Sequence, residues 1–243
     1  MTNKKNLHKP YDFSLTSISR GVLLVLIPLV AYILGAFLVV VFVHYALKII
    51  PFSGILHLAV ITILLVFSFF LLLILETFIP GIFIRIFKVK VPAGTHEITI
   101  KDKGFFNHML FFILYRPALS CTAIVPLVPL RLRLLKLVGL RIGEGSLIAG
   151  TELIDEPYAV EIGKNTLIGG FSTIFAHISH KKLFMKTVKI GDNCFIGNRS
   201  IIMPGAIIEN NVVVQPGSVV AEDQLLKKGK RYAGNPAIEI KGE

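Results

Sequence analysis

Cysteine is scarce in this chain. Only Cys121 and Cys194 occur, without metal-ligand spacing, so no disulfide framework is available and a reducing, cytoplasmic setting fits. Acidic residues are few as well, 15 against 26 Lys and Arg, which leaves a net charge of +11. An excess of that size can mark nucleic-acid binding, but no nucleic-acid motif accompanies it, and no nucleic-acid partner is expected. Charge of either sign is missing altogether from residues 21–42, and from residues 52–75 unless His57 is protonated. With 53% hydrophobic residues and a mean hydropathy of +0.72, the chain is too apolar for an ordinary soluble domain.

What is there, first, is a pair of membrane-spanning candidates. Each uncharged stretch can cross a hydrocarbon core of about 30 Å as a helix. A signal peptide has an apolar region of only about 7–15 residues, too short to describe the first stretch. Two retained transmembrane helices are expected at about 21–46 and 53–80, antiparallel, because only VHYALKIIP separates the stretches. Lys4, Lys5, Lys9 and Arg20 precede the pair, Arg85, Lys88 and Lys90 come after it, and only Lys48 lies between. That bias predicts a multi-pass protein of the cell membrane with both ends, and everything after residue 90, on the cytoplasmic side. Glu76, at the inner end of the second stretch, reads as an interfacial carboxylate beside the neighbouring basic residues, in preference to the alternative of a buried polar site in a pathway.

Residues 91–102 read as extended or hairpin structure. The apolar run 105–115 is too short to span a bilayer, and Pro117, Pro126 and Pro129 break the next stretch into pieces. Arg131, Arg133, Lys136 and Arg141 alternate with leucines, which predicts interfacial helices with their cations at headgroup level; the alternative is a helical subdomain packed on the soluble part. Three regions result: 1–90 with the transmembrane pair, 91–140 as a linker of interfacial or amphipathic helices, and 141–243.

The last region has its own period. In KIGDNCFIGNRSIIMPGAIIENNVVVQPGSVV (189–220), Ile190, Ile196, Ile202, Ile208, Val214 and Val220 recur every six residues. Neither the 3.6-residue helix nor the two-residue strand gives that spacing. The fifth position of each hexad is small or β-branched: Ser146, Thr166, Ser172, Cys194, Ser200, Ala206, Val212, Ser218; Glu152 is the exception. Gly and Asn occupy turn positions, where positive φ is tolerated. One hexad supplies one short strand and a turn, and three strands close a triangular coil of 18 residues. Ile190 then stacks on Ile208, Ile196 on Val214 and Ile202 on Val220, which makes a solenoid. Ile142, Ile148, Ile154 and Ile162, Ile168, Ile174 keep the period. The steps of eight from Ile154 to Ile162 and sixteen from Ile174 to Ile190 mark two insertions.

From Arg141 onward the chain resembles the hexapeptide-repeat acyltransferases, whose coil is a left-handed parallel β-helix. The segment from IGDNCFIG to PGSVV, with YAGNPA (232–237) after it, is similar to the end of sugar and maltose O-acetyltransferases. More narrowly, AGTH (93–96), RIGEGSLIAGTELIDEPYAVEIG and MKTVKIGDNCFIG are similar to the membrane-attached C-terminal region of ε-poly-lysine synthetase-type peptide synthetases. The adenylation and carrier domains of those enzymes have no counterpart here. The left hand comes from the resemblance alone, since the usual crossover rule favours the right.

The resemblance implies a homotrimer with acyl-CoA, acetyl-CoA first, as co-substrate in a groove between subunits. A His at the interruption takes a proton from an acceptor hydroxyl or amine, a task suited to imidazole. His177 and His180 are the candidates, His177 closer to the coil, and Asp155 or Glu156 on the shorter insertion could orient it or stay solvated. A turn N–H such as that of Gly197 could stabilise the oxyanion, and Lys227, Lys228, Lys230 and Arg231 could meet the phosphates of CoA. The acceptor is a small molecule, a lipid-linked molecule or a peptide. No metal is expected: a Zn-dependent, γ-carbonic-anhydrase-like site needs three His, and residues 141–243 hold only His177 and His180. A third class is a non-catalytic trimeric membrane scaffold.

Overall fold

The computed structural model describes residues 14–49, 54–124 and 128–240. Two long helices come first, α1 (Leu15–Ile49) and α2 (Gly54–Ile86). They measure about 52 and 50 Å at 1.5 Å per residue, longer than a bilayer core. Both overrun the bounds read from composition, because a charge gap marks the apolar stretch and not where the helix stops. Both are long and apolar enough to cross a membrane. Gly35 faces Glu76 and Phe42 meets Phe67, so the two run antiparallel. The connection that would turn them, around residues 50–53, lies outside the described residues. Their outer faces stay apolar and exposed, as at Val25, Val40 and Ile63. Glu76 departs from the interfacial expectation. It turns into the helix pair, with a buried Oε2 that has no hydrogen-bond partner among the described residues, and a Cβ on Gly35 would meet its Oε1 at 2.5 Å.

A short strand, β1 (Gly94–Glu97), leads to α3 (Lys103–Ile124) and α4 (Val128–Leu137). One face of α3 is packed inside protein: Leu114, Tyr115 and Ala118 are fully buried. Tyr32 of α1 donates to the Leu114 carbonyl at 2.9 Å, and Tyr115 donates to the Ile154 carbonyl at 2.8 Å. Thus α3 joins the helix pair to the C-terminal coil. The expected headgroup position fails for Arg131, which is buried, with Nε 2.8 Å from Glu152 Oε1 and Nη1 3.0 Å from Thr122 Oγ1. The physical reason is that Glu152 fills an inward fifth position and a buried carboxylate needs a countercharge. Arg133, Lys136 and Arg141 remain exposed.

The rest winds as a parallel coil. Coil one is β2 (Arg141–Ile142), β3 (Leu147–Ile148) and β4 (Leu153–Ile154). Coil two is β5 (Val160–Ile162), β6 (Leu167–Ile168) and β7 (Thr173–Ile174). An excursion comes next, β8 (His177–Ser179) and β9 (Lys182–Met185). Coil three is β10 (Val188–Ile190), β11 (Phe195–Ile196) and β12 (Ile201–Ile202), and coil four is β13 (Ile207–Ile208), β14 (Val213–Val214) and β15 (Val219–Val220). Coil five has β16 (Leu225–Leu226) and β17 (Arg231–Ala233), and β18 (Ile238–Ile240) folds back antiparallel on β17.

The register agrees with the six-residue period. Ile190 pairs with Ile208, Ile196 with Val214 and Ile202 with Val220, and Ile162, Ile168 and Ile174 stack below them. The small fifth-position residues are buried, and Glu152 is fully so. Left-handed φ falls at the fourth position of successive hexads: Asn193 (54°), Arg199 (59°), Gly205 (77°), Asn211 (60°), Gly217 (72°). The Gly at position two has another cause. A Cβ on Gly197 would drive into the backbone nitrogen of Pro216 on the next coil.

Candidate active site

Both interruptions leave the prism at the same edge. The first comes after β4 and includes a 3₁₀ turn (Pro157–Ala159); the second comes after β7, one coil higher. Stacking therefore brings residues 155–159 beside the start of the excursion. His177 is not on a loose loop. It opens β8, pairs with Met185 of β9, and β9 pairs in turn with β1, giving a three-stranded antiparallel sheet against the coil.

The His177 Nδ1 lies 2.6 Å from Glu156 Oε1, and Glu156 Oε2 accepts the Ala176 N–H at 3.1 Å. The Nδ1 contact has the length of an ion pair but not the alignment of a straight hydrogen bond. Glu156 is 2% exposed, so its contact with His177 is sheltered from solvent on the carboxylate side. Asp155 turns the other way, with Oδ1 2.8 Å from Arg116 Nη2 of α3. The ring of His108, also from α3, packs edge-on against His177 with centroids 4.7 Å apart, and its Nδ1 is 3.9 Å from Glu156 Oε1.

These neighbours set the proton affinities. Burial pushes His177 toward neutrality, but the hydrogen-bonding contact and charge of Glu156, with Asp155 behind it, outweigh burial and hold its pKa above the ordinary imidazole value. Burial lowers the pKa of His108, the charge of His177 lowers it further, and Glu156 only partly offsets them. Burial raises Asp155, the nearby Glu156 adds to that, and Arg116 opposes it. With Nδ1 turned to Glu156, Nε2 is the ring nitrogen of His177 that this contact leaves over.

The other candidates fall elsewhere. His180 sits in the turn between β8 and β9, exposed, with its backbone N–H on the Lys182 carbonyl and no side-chain partner among the described residues. Gly197 is excluded as an oxyanion donor: its N–H already bonds the Val214 carbonyl at 2.8 Å, as the coil ladder requires. Lys227, Lys228, Lys230 and Arg231 lie on coil five, three coil steps from the excursion, or roughly 14 Å along the axis at 4.7–4.9 Å per step. Lys230 pairs with Glu239 at 2.9 Å, and the Lys228 N–H is held by Glu209. His108 and Arg116 are the residues the sequence reading missed. His108, Glu156 and His177 also bring ligand atoms within 4.8 Å of one another, a spacing a metal ion could use. The count of histidines over 141–243 overlooked this set, because its second imidazole comes from α3.

Residues 187–222 match the family model described as bacterial transferase hexapeptide (six repeats). That stretch, coils three and four, carries the bacterial transferase hexapeptide repeat. No curated protein matches the chain. Among solved structures, a maltose O-acetyltransferase from Clostridium difficile 630 is similar at 24% identity and a TM-score of 0.40, covering 46% of this chain and 74% of that one. A hexapeptide-repeat acetyltransferase from Vibrio cholerae, complexed with acetyl coenzyme A, is similar at 18% identity and 0.39, covering 46% and 75%. A galactoside acetyltransferase in complex with coenzyme A is similar at 22% identity and 0.39, covering 47% and 70%. In the hexapeptide coil of this chain, the His177–Glu156 pair stands at the interruption, outside the repeated core.

Proposed function

We propose that the protein is a membrane-anchored acyltransferase, with its coil on the cytoplasmic side, that moves an acyl group from acyl-CoA, acetyl-CoA first, to a hydroxyl or amine acceptor. The observation that carries this reading is the pairing of His177 with Glu156 at the interrupted edge of a transferase hexapeptide coil. Nε2 of His177 takes the proton of the acceptor O–H or N–H as that atom bonds to the thioester carbonyl. Collapse of the tetrahedral adduct breaks the C–S bond, and the CoA thiolate recovers the proton from the imidazolium. Glu156 orients the ring and stabilises the imidazolium in between. The family's left-handed coil belongs to this reading, as does the placing of CoA along the coil toward Lys227, Lys228 and Arg231.

A homotrimer completes the proposal. The outward positions Leu147, Leu167 and Phe195 stack on one face of the prism and are 62%, 38% and 38% exposed. A second copy packed on that face would bury the stripe and wall the groove. The test is transfer assayed with purified protein, several acyl-CoAs and membrane extracts. His177→Ala should lower transfer by roughly 10²–10⁴ with acyl-CoA binding retained, and His180→Ala should cost much less. Full activity in both variants would remove the histidine mechanism; absence of acyl-CoA binding in the unaltered protein would favour the scaffold instead.

A further inference from the structure

A second feature lies beside the same insertion. A cavity of about 510 Å³ opens between the ends of α2 and α4 and the first strand of the coil. Five cations line it: Arg85, Lys88, Lys90, Lys136 and Arg141; the floor includes Ile84, Val89, Val138 and Tyr158. Arg141 is paired with Glu161 at 2.6 Å. Arg85, Lys88, Lys90 and Lys136 have no carboxylate partner among the described residues.

The backbone explains why the cations converge. Both helices stop in the same kind of cap. At the end of α2, Lys88 takes φ of 50°, its N–H bonds the Arg85 carbonyl and the Val89 N–H bonds the Ile84 carbonyl. At the end of α4, Gly139 takes φ of 113°, its N–H bonds the Lys136 carbonyl and the Leu140 N–H bonds the Leu135 carbonyl. These are Schellman closures, each with its apolar clasp buried. After the first cap, Val89 and Val91 point inward and Lys88 and Lys90 outward, the two-residue alternation of extended chain.

Complementing two helix C-termini is the simpler reason for such cations. The charge count goes beyond it. Each helix end carries about half a negative charge, so two ends offset about one of the four unpaired cations, leaving about three positive charges around one cavity. The end of α2 and the residue after it are apolar and exposed, at Ile82, Ile86 and Phe87. The cations therefore stand where the apolar length of α2 ends, at the depth of lipid headgroups if the helix spans. Tyr158 lines this cavity and lies two residues beyond Glu156, the partner of His177.

We infer that this cavity binds a phosphate-bearing anion, and that it seats the phosphate of a lipid or lipid-linked acceptor beside the insertion that carries Glu156. The acceptor role rests on the acyltransferase reading; the phosphate site does not. The full chain in phosphatidylcholine nanodiscs, with no acyl-CoA present, tests it. Phosphatidic acid at low mole fraction probes the lipid source, and inorganic pyrophosphate probes the soluble one. Native mass spectrometry should find about one phosphatidic acid retained per chain at saturation. Lys88→Gln, Lys90→Gln and Lys136→Gln should each weaken retention about fivefold, the effect of one cation near such a headgroup. Arg199→Gln, at another edge of the coil, should leave it unchanged. Pyrophosphate held more tightly than the lipid, and lost with the same lysines, would support the phosphate site and overturn the lipid source. Retention that ignores the three lysines, or that extends equally to many copies of phosphatidylserine, would overturn the site. Because no transfer is measured, either failure leaves the role of His177 to its own assay.

Discussion

The replacement Glu156→Gln isolates what the buried carboxylate does for His177. Glutamine keeps an oxygen for the Ala176 N–H, so the local fold should survive, and only the charge beside Nδ1 is lost. If the contact straightens into a hydrogen bond to a charged group as the imidazolium forms, it contributes about 1.5–3 kcal/mol. If that stabilisation is realised in the imidazolium formed during transfer, its loss slows the step about 10- to 150-fold at 1.36 kcal/mol per decade. The pH profile gives the independent reading. Glu156 holds the His177 pKa above its ordinary value, and the neutral ring is the base, so transfer by the unaltered protein should rise with pH through that raised pKa. In the glutamine variant the rise should move to lower pH while the plateau falls. The same pair makes a small pH-dependent contribution to stability, present below the unfolded-state pKa of His177 and lost as pH rises through the raised folded value. Steady-state rates at saturating acyl-CoA across pH 5–9, with thermal melts as a folding control, measure all of this. An unchanged plateau with an unmoved profile would refute the orienting role. A lowered melting temperature with an unmoved profile would reduce Glu156 to a structural residue.

The same contacts lead to three further outcomes. His108→Phe keeps an aromatic ring against His177 and should cost less than about tenfold in transfer; a loss matching His177→Ala would make His108 the base. Arg131→Met strands the fully buried Glu152 carboxylate and should destabilise the protein by about 3–5 kcal/mol by chemical denaturation, much of it recovered when Glu152→Leu is added. Treatment with a chelator should leave transfer unchanged, because the proposed base is imidazole; loss restored by Zn²⁺ would shift the chemistry to a metal held by His108, Glu156 and His177.

The coil was legible because its rule is local. A branched aliphatic every six residues and a small side chain at position five dictate which atoms point inward, and the eight- and sixteen-residue steps locate both insertions. Glu152 was also legible as an anomaly, since a carboxylate at an inward position demands a countercharge. Its partner was not. Arg131 sits among leucines, and that pattern looks the same whether the apolar face meets lipid or protein. His108 lies 69 positions before His177 in sequence number, in the apolar run FFNHMLFF, and only the packing of α3 on the coil brings the rings together. The signal available was a lone imidazole in a largely apolar run, which by itself names no partner. Glu76 was misplaced for a related reason: nearness to basic residues in sequence does not fix the side of the helix on which a carboxylate emerges.

The two ends of the coil are held differently. Coil one is plugged by Tyr115 and Arg131 from the helices, whereas coil five ends under one folded-back strand. In a stack where each rung touches only its neighbours, stability accumulates rung by rung and opening starts at the weaker terminus. Fraying should therefore travel one way, from Tyr232 toward Ile196, and hydrogen exchange should record it as a gradient of protection. The rung that carries His177 stands near the clamped end. The turns that would hold the phosphates of CoA stand near the free end, where the chain can open and close around a long ligand without loosening the base.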